Sequence, residues 1–529
     1  MIRRLLPAPL LAFASPAHPA TDPLLPDGFV VQHILENLDQ PTDLEFLPDG
    51  RMLILERETA NVLLFRTATF TVETIATLPD VQASPTGEQG LLGVAVDPEW
   101  PDRPYLYFHY NHIDNQHIYL SRYTAVGELS DPLGTFALTD RYDVLPDIPS
   151  PYSGHNAGTV EFGIDGTLYV SVGDGFLTFC AAQDSSTMQG CILRLDVSGL
   201  PASGPGPPSK ASITPPDNPF AGGGSEEAGL VFCFGLRNPF RFSIHPVTGA
   251  VLIGDVGNAL AEELNVAWGG ENFGWPFREG PFIDTTLTEC SEPGGPGGSS
   301  YEDPVYWYDY DASGIAVIGG PVYRPAGGDF DFPPEYDGVW FFADFGTCLG
   351  PINVPCGFIR ALAPDSSGTW SLLDPVPGQY DAENWAPGER FITDLEVGPD
   401  GALYYVDHFR SPLRFDLPGG VSRIVPEDAV LSAGDPDPGI RPLVSPNPTR
   451  RSAGATIRFE APEPGAFPVT VFDVSGRMVA RVDHRARAAG AQRVFWNGLD
   501  GGGARLPAGV YYLRVGGGVD ASAEVTLLP

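Results

Sequence analysis

A histidine and an aspartate that flank one predicted hairpin are the residues of this sequence best suited to proton transfer. His155 precedes the segment TVEFGIDGTLYVSV, which has the pattern of two strands joined by an Asp-Gly turn, and Asp174 follows it. Because a hairpin returns the chain to its starting point, Asp174 can lie beside the imidazole of His155. Such a carboxylate fixes the ring's tautomer and makes it a better proton acceptor, although most His-Asp pairs are purely structural.

A candidate anion-binding turn follows in the segment FGLRNPFRF. Arg237 and Asn238 stand immediately before Pro239, where a turn is expected. A guanidinium in this position could face an oxyanion or a quinone oxygen. The alternative is an arginine that only pairs with one of the many nearby acidic side chains.

A candidate calcium-binding loop lies in the segment GDVGNALAEELNVAW. The carbonyls of Gly257 and Asn258, with Glu262 and Glu263 close behind, offer the hard oxygen ligands that calcium prefers. The segment lacks the spacing of an EF-hand loop. An exposed acidic loop is therefore the alternative interpretation.

The elements that must position these residues belong to a pattern that occurs six times. In each copy a turn with Asp, Gly or Pro is followed at once by an aliphatic or aromatic strand, and the copies lie roughly 50 to 90 residues apart. The six copies are LPDGRMLILER from Leu47, DPEWPDRPYLYFHY from Asp97, FGIDGTLYVSVGDG from Phe162, HPVTGAVLIGDVG from His245, EYDGVWFFADFG from Glu335 and GPDGALYYVDHF from Gly398. Six such units predict an all-β, six-bladed propeller; an irregular array of strands is the alternative.

The same pattern indicates where a site would lie. Propeller strands near the axis project their ends and following loops into one mouth, and four of the six repeated strands end in an acid. These are Glu56, Asp174, Asp255 and Asp344. The sequence therefore predicts one acidic site at the mouth of the propeller.

Composition narrows the classes of partner. The 529 residues carry a formal net charge of -37 and include 63 Gly and 55 Pro. A surface this acidic repels phosphate backbones and anionic lipids, so we expect no nucleic-acid partner and no peripheral membrane binding, whereas divalent cations are attracted. No stretch after residue 20 is apolar for long enough to span a bilayer, so we also expect no transmembrane segment. Simple solubility is the alternative explanation of the charge.

The N-terminus and the cysteines indicate export. Residues 1–20 combine Arg3 and Arg4 with a short apolar run and small residues, which is typical of a signal peptide. The six cysteines suit an oxidising compartment, and none has CxxC spacing. We expect loop-stapling disulfides, with Cys348 and Cys356 as one bridge, while the sequence leaves the remaining connectivity open.

A second domain follows a linker. Residues 429–445 are rich in Pro, Asp and Gly, whereas the segment from 446 to 529 alternates in strand fashion. Its motifs are SPNP at 445–448, TIRFE at 456–460, VFDVSGRMV at 471–479, WNGLD at 496–500 and PAGVYYLRV at 507–515. They resemble the immunoglobulin-like domain related to the flagellar hook-capping protein, which implies a C-terminal sorting domain for type IX secretion. A passive spacer is the alternative.

The first domain, predicted at residues 21–428, resembles the glucose/sorbosone dehydrogenase family of soluble quinoproteins. The matching motifs occur in one order along the chain: GEQGLLGVAVDP at 87–98, HNAG at 155–158, AQDSSTMQGCILRLD at 182–196, DNPF at 217–220, GLRNPFRF at 235–242, NFGWP at 272–276 and GGPVY at 319–323. The resemblance implies pyrroloquinoline quinone (PQQ) and calcium as cofactors. It also implies an exported aldose dehydrogenase with a sugar substrate and an external electron acceptor.

Family positions map onto this sequence one by one. The resemblance implies His155 as general base, Asp174 as its orienting carboxylate, Arg237 and Asn238 as contacts to the quinone, and Gly257 and Asn258 as calcium ligands. Glu263 falls at the position where the family places a second, structural ligand of calcium.

Three departures concern the cofactor. Glu88 stands at a cofactor-binding position where members carry Gln, Phe240 replaces a polar contact, and no lysine matches the cofactor lysine, because Lys210 lies in a Pro- and Gly-rich loop. PQQ carries three carboxylates, so these changes weaken its electrostatic attraction. A non-enzymatic surface propeller that binds a protein or a glycan, similar to the hedgehog-interacting relatives, is the alternative function, and a calcium-dependent lactone hydrolase is a third.

Overall fold

The structure is a computed structural model whose described residues form two compact units, at residues 1–426 and 427–529. The predicted signal peptide and Cys348 and Cys356 lie outside the described residues, and the finer boundaries at 428 and 445 stay predictions. Among the residues described, no helix is both long and apolar enough to cross a bilayer. The described ranges are 23–82, 87–114, 116–284, 289–292, 300–309, 316–346, 357–365, 367–388, 391–409, 418–432, 443–445, 449–450, 455–461, 464–473, 477–487, 490–516 and 521–528.

The described part of the first unit consists of strands, one short α-helix, α1 (Glu226–Leu230), which Ser225 caps, and three short 3-10 helices at Phe179–Gln183, Lys210–Ser212 and Pro334–Tyr336. Its strands are β1 (Phe29–Leu38), β2 (Pro41–Phe46), β3 (Met52–Glu56), β4 (Asn61–Arg66), β5 (Thr71–Thr77), β6 (Leu91–Val96), β7 (Tyr105–Asn111), β8 (His117–Gly127), β9 (Phe136–Pro149), β10 (Val160–Phe162), β11 (Leu168–Val172), β12 (Cys191–Leu195), β13 (Val231–Phe234), β14 (Arg241–Ile244), β15 (Val251–Asp255), β16 (Ala261–Ala267), β17 (Arg278–Glu279), β18 (Phe282–Ile283), β19 (Tyr306–Asp309), β20 (Val317–Val322), β21 (Trp340–Asp344), β22 (Phe358–Pro364), β23 (Trp370–Leu372), β24 (Ala386–Pro387), β25 (Ile392–Val397), β26 (Leu403–Asp407) and β27 (Gly419–Pro426).

Apart from β17 and β18, which form a separate two-stranded hairpin, these strands form six consecutive sheets, which confirms the predicted six-bladed propeller. The sheet orders are β2-β3-β4-β5, β6-β7-β8-β9, β10-β11-β12-β13, β14-β15-β16-β19, β20-β21-β22-β23 with β24 added to β22, and β25-β26-β27-β1. The first strands of successive sheets contact one another in a closed ring. The N-terminal strand β1 completes the last blade by antiparallel pairing with β27, from Phe29 opposite Pro426 to Leu38 opposite Gly419.

The repeated turn of the sequence joins the first and second strands of each blade. In the third blade the loop between β10 and β11 contains Gly166 at φ +78°, a conformation that glycine adopts without steric cost. The following strand β11 is buried along its whole length, as are β3, β15, β21 and β26. The second strands are thus the apolar runs of the sequence repeats, and each is covered on both faces by neighbouring blades.

The second unit is a small two-sheet domain. It contains the helix α2 (Glu427–Ser432) and strands β28 (Leu443–Ser445), β29 (Thr449–Arg450), β30 (Ala455–Ala461), β31 (Gly465–Ala466), β32 (Val469–Asp473), β33 (Met478–Val482), β34 (Arg485–Ala486), β35 (Gly490–Trp496), β36 (Gly509–Val515) and β37 (Ala521–Leu528). The sheets have the orders β28-β30-β35 and β29-β37-β36-β32-β33. Phe459, Trp496 and Leu513 lie in the core that the domain forms by itself.

A disulfide joins Cys180 to Cys290, with a Cα–Cα distance of 5.4 Å across 110 residues of sequence. Cys191 and Cys233 are buried thiols without a bridge. The expectation of a loop staple is therefore met by one long-range bridge.

Because β1 closes the last blade through β27, we expect the propeller to tolerate loss of the second unit but not loss of β27. A chain ending at Pro426 should stay soluble and unfold cooperatively with an unchanged melting temperature. A chain ending at His408 leaves β1 and β26 with unpaired edges and should aggregate. Calorimetry and size-exclusion chromatography of the two truncations check this; aggregation of the longer one would show that residues 427–529 are needed for the propeller.

Candidate active site

The structure brings His155 and Asp174 together as predicted from the hairpin. Nδ1 of His155 lies 2.7 Å from Oδ1 of Asp174, whose side chain is fully buried, while His155 is 8% exposed. Among the described residues, none forms a hydrogen bond with Nε2 of His155. This arrangement places the ring proton on Nδ1 and the lone pair on Nε2, as a general base requires.

The Asp174 carboxylate also binds two groups besides the imidazole. Its Oδ1 accepts the backbone N–H of Phe176 at 2.8 Å, and its Oδ2 accepts the indole N–H of Trp275 at 2.7 Å. Three donors thus satisfy a carboxylate that has no access to water. The pair is held from two sides, so the imidazole orientation is fixed by the fold.

Arg237 and Asn238 lie directly behind this pair. The carbonyl of Arg237 accepts the N–H of Asp174 at 2.8 Å, and Oδ1 of Asn238 accepts the N–H of Ala157 at 2.9 Å. The N–H groups of Arg237 and Asn238 donate to the Asp255 carboxylate at 2.9 and 2.7 Å. Burial raises the pKa of Asp255 well above its usual range, and the nearby Glu263 charge adds to this.

The guanidinium of Arg237 is engaged through one donor only. Nη1 donates to the carbonyl of Val256 at 3.0 Å, and the guanidinium carbon lies 5.5 Å from the Trp275 ring centroid. Nε is buried without a partner, and the guanidinium forms no ion pair within the described part of the chain. The alternative of an arginine that only pairs with a nearby acidic side chain is thus not found among these residues. A buried donor without a partner points to an anionic or carbonyl ligand.

A cavity of about 700 Å³ opens beside the pair. Glu88 lines it and accepts the backbone N–H of His155 at 2.7 Å, and Phe176 lines it while packing edge-on against the His155 ring, with centroids 5.0 Å apart. The full lining is Thr42, Arg57, Gly87, Glu88, Leu92, Ser153, Gly154, Phe176, Phe240, Phe345, Thr393, His408 and Phe409. Four of these thirteen residues are phenylalanines, whose rings suit contact with a flat ring system.

The predicted calcium ligands divide into two groups. Among the described residues, no hydrogen bond is donated to the carbonyls of Gly257 and Asn258, so both oxygens remain available as ligands. Glu263 lies on β16, and its carboxylate accepts from Asn265 Nδ2 at 3.0 Å and from the N–H of Gly280. Burial raises the pKa of Glu263 to about 7. Within the described ranges, no cluster of three or more His, Cys, Asp or Glu could hold a metal ion.

The loop that carries these carbonyls is held by Glu279. Its Oε1 accepts the N–H groups of Asn258, Ala259 and Leu260 at 2.5, 2.7 and 2.9 Å. Its Oε2 is buried and has no partner within the described ranges. A carboxylate that binds successive amides orients the carbonyls of the same peptides away from it, which favours an outward pair of oxygen ligands.

Comparison with known proteins identifies the first unit. A family model described as Glucose / Sorbosone dehydrogenase matches residues 38–341, more than half of the chain. The chain belongs to the glucose/sorbosone dehydrogenase family. A second model, FlgD Ig-like domain, matches residues 448–518 and agrees with the immunoglobulin-like fold expected of the second unit.

Individual relatives cover the family region in part. The chain is 33% identical over 240 residues to the HIPL2 protein of Arabidopsis thaliana, which is 42% of this chain and 33% of that protein. It is 27% identical over 270 residues to quinoprotein glucose dehydrogenase B of Acinetobacter calcoaceticus, which is 47% of this chain and 53% of that one. The chain thus spans about a third and about half of the lengths of these relatives.

A solved structure supports the propeller. The structure of an oxidoreductase (glucose dehydrogenase) from Thermus thermophilus superimposes with a TM-score of 0.53 and 27% identity, covering 75% of this chain and all of that one. The likeness therefore covers the first unit of this family member.

Three residues of the site were not predicted from the sequence. Arg57 lines the cavity and donates through Nη1 to the carbonyls of Gly87 and Gln89 at 2.9 and 2.7 Å. His408 also lines the cavity, and burial lowers its pKa to about 3, so its imidazole is neutral. Arg57 and His408 directly follow the ends of repeated strands, at Glu56 and Asp407, and this position could have indicated that they belong to the site. No strand pattern indicated the contact of Trp275, which lies 101 residues from Asp174.

We expect Asp174→Ala to destabilise this family member strongly. The change leaves the buried donors of His155 and Trp275 and the partly buried N–H of Phe176 without an acceptor, so the free energy of unfolding should fall by about 3 kcal/mol or more. Urea unfolding measures it. Asp184→Ala is the matched control, because Asp184 also caps a turn through Oδ1 but is exposed, and it should cost less than about 1 kcal/mol. Equal effects of the two variants would contradict the role given to Asp174.

Proposed function

We propose that the propeller is a PQQ- and calcium-dependent dehydrogenase that oxidises the anomeric hydroxyl of an aldose to a lactone. The observation that carries this proposal is the His155–Asp174 pair beside an aromatic cavity, with Nε2 of His155 open. The names of a quinoprotein glucose dehydrogenase and a glucose dehydrogenase among the similar proteins support the substrate class. Family membership alone would not support a substrate class, because one fold supports many functions.

The residues present suit the cofactors in most respects. Arg237 has an orphaned Nε for a quinone oxygen, Asn238 lies next to it, and the carbonyls of Gly257 and Asn258 are available to calcium. The aromatic lining suits a planar ring system. Glu88 opposes the cofactor's carboxylates, and Arg57, which lines the same cavity, offsets its charge. Each carboxylate oxygen of Glu263 already accepts one hydrogen bond, and its assignment to a second, structural calcium ion stays a proposal.

The protein's own part in the reaction is proton transfer and orientation. Nε2 of His155 takes the proton of the anomeric hydroxyl, and Asp174 holds Nδ1–H and stabilises the imidazolium. When bound, PQQ supplies the acceptor for the hydride that leaves the anomeric carbon. Loss of that proton and hydride converts the hemiacetal into a lactone, so atoms and electrons balance.

The alternative is a surface propeller that binds a protein or a glycan without catalysis. The observation that favours it is Glu88, a carboxylate in the wall of the cavity that a trianionic cofactor would enter. The two functions differ in one measurable property. Protein mixed with PQQ and calcium and then desalted retains about one PQQ per chain if it is a dehydrogenase, and none if it is a binding module.

We also propose that the protein is exported, with residues 1–20 as a signal peptide and the second unit as a sorting domain recognised by secretion machinery. The immunoglobulin-like match and the disulfide support this, because disulfides persist in oxidising compartments. The electron acceptor would then be a molecule outside the cytoplasm. Localisation of a tagged chain with and without residues 446–529 tests the proposal.

His155→Asn should lower turnover by roughly 100-fold or more, since it removes the basic nitrogen but keeps a polar side chain. PQQ and calcium retention should stay within about twofold, because His155 is not assigned to either. Dye-coupled assays with PQQ, calcium and a panel of aldoses measure turnover. His117→Asn is the control, because His117 is outside the cavity and 39% exposed.

Arg237→Ala tests the cofactor side separately. Loss of its guanidinium should weaken both turnover and PQQ retention, unlike the change at His155. A His155→Asn variant with normal turnover would refute the mechanism. Wild-type protein without any quinone-dependent activity would favour the binding module.

A further inference from the structure

Phe176 has a backbone conformation that a phenylalanine rarely adopts. Its φ of +67° lies in the left-handed region, where the Cβ of a bulky residue is crowded and glycine is normally found. Its side chain is nevertheless 48% exposed and lines the cavity next to His155. An outlier of this kind at a cavity mouth is a reason to look for a function.

The turn that holds Phe176 is built from the catalytic carboxylate. Oδ1 of Asp174 accepts the N–H of Phe176 at 2.8 Å, and the hydroxyl of Thr178 donates to the Asp174 carbonyl at 2.7 Å. The ring is set edge-on to His155 at 85° and stands next to Gly154, where an added Cβ would lie 3.6 Å from it. Its position relative to the base is therefore fixed.

Burial does not offset the cost of this conformation. Phe391 also has a left-handed backbone, at φ +60°, but its ring is 1% exposed and packs at 5.2 Å from Phe345. Burial of an entire ring of this kind stabilises the fold by more than the left-handed backbone costs. Phe176 leaves about half of that contribution unused, so its exposed face has no structural role that the contacts explain.

We infer that Phe176 is a specificity-determining residue whose exposed face stacks against the C–H face of a pyranose ring. Aromatic rings and the apolar faces of sugars both remove hydrophobic surface from water when they stack. Because the ring is fixed beside His155, stacking places a hydroxyl of the sugar at Nε2. The inference rests on the proposed function and deepens it: the substrate is a cyclic sugar and not an open-chain polyol, which has no fixed C–H face.

The test is binding of a sugar that cannot react. Methyl β-D-glucopyranoside has no free anomeric hydroxyl, so its dissociation constant, measured by ligand-observed NMR titration, does not depend on turnover. Phe176→Gly should raise this constant about threefold to tenfold, the range expected for one aromatic contact. Phe176→Tyr should keep it within about twofold, and sorbitol should bind neither wild type nor variants.

Stability separates this role from a structural one. Glycine suits φ +67°, so Phe176→Gly should leave the melting temperature unchanged or higher while it weakens sugar binding. The matched control is Phe70→Gly: Phe70 has φ +53° and is 62% exposed, but it belongs to the hairpin between β4 and β5 and does not line the cavity. Phe70→Gly should change the melting temperature similarly and leave glycoside binding unaltered.

Two outcomes would overturn the inference: wild-type protein that does not bind the glycoside, or a Phe176→Gly variant that binds it as well as wild type does. A fall in melting temperature with loss of binding only in Phe176→Gly would assign the residue a structural role. The proposed dehydrogenase fails differently, through absence of quinone-dependent turnover in a protein that still binds the glycoside through Phe176.

Discussion

A single buried guanidinium on the axis of the propeller joins four of its six blades. Arg241, on β14, is 1% exposed and lies 3.3 Å from Asp43 and 3.4 Å from Asp394. It also donates to three carbonyls on the first strands of other blades, those of Thr42 at 2.5 Å, Leu92 at 3.1 Å and Thr393 at 2.9 Å. The same three residues line the cavity, so the contact that closes the axis also forms the cavity wall. Without it, two buried carboxylates would lose their cation, which is strongly destabilising.

The site is built on this rigid ring by a second buried contact set, centred on Asp174. The Asp174 carboxylate, at the end of the third blade, accepts hydrogen bonds from His155 and Trp275. The backbone N–H of Asp174 donates to the carbonyl of Arg237, in the turn before the fourth blade. The His155 imidazole and the backbone of Arg237 are thus positioned by one residue. In the proposed reaction this coupling would keep the imidazole and the proposed quinone-binding turn in register, as the transfer of a proton and a hydride from one carbon requires.

Local patterns predicted much of this arrangement, and long-range contacts account for what they missed. The repeated turns predicted the blades, because each turn and its strand are neighbours in sequence, and the hairpin predicted that Asp174 returns to His155. The partner of Cys180 could not be predicted, because Cys290 is 110 residues away and the route of the intervening chain decides the pairing. The contact between Glu263 and Gly280 could not be predicted for a related reason: Gly280 lies in the turn of an inserted hairpin, β17 to β18, that has no counterpart in the repeats.

The acid at position 88 has a structural explanation within the site. His155 has a left-handed backbone, at φ +54°, and the Glu88 carboxylate binds its N–H at 2.7 Å, a charge-assisted bond stronger than an amide side chain would form. The cost is a negative charge in the cavity wall. Arg57 donates to the carbonyls of residues 87 and 89, which flank Glu88. Its positive charge is therefore held next to the segment that carries the acid. Firm support of the His155 backbone and attraction of an anionic ligand therefore oppose each other at Glu88, and the charge of Arg57, which Glu58 and Asp39 share, offsets the acid only in part.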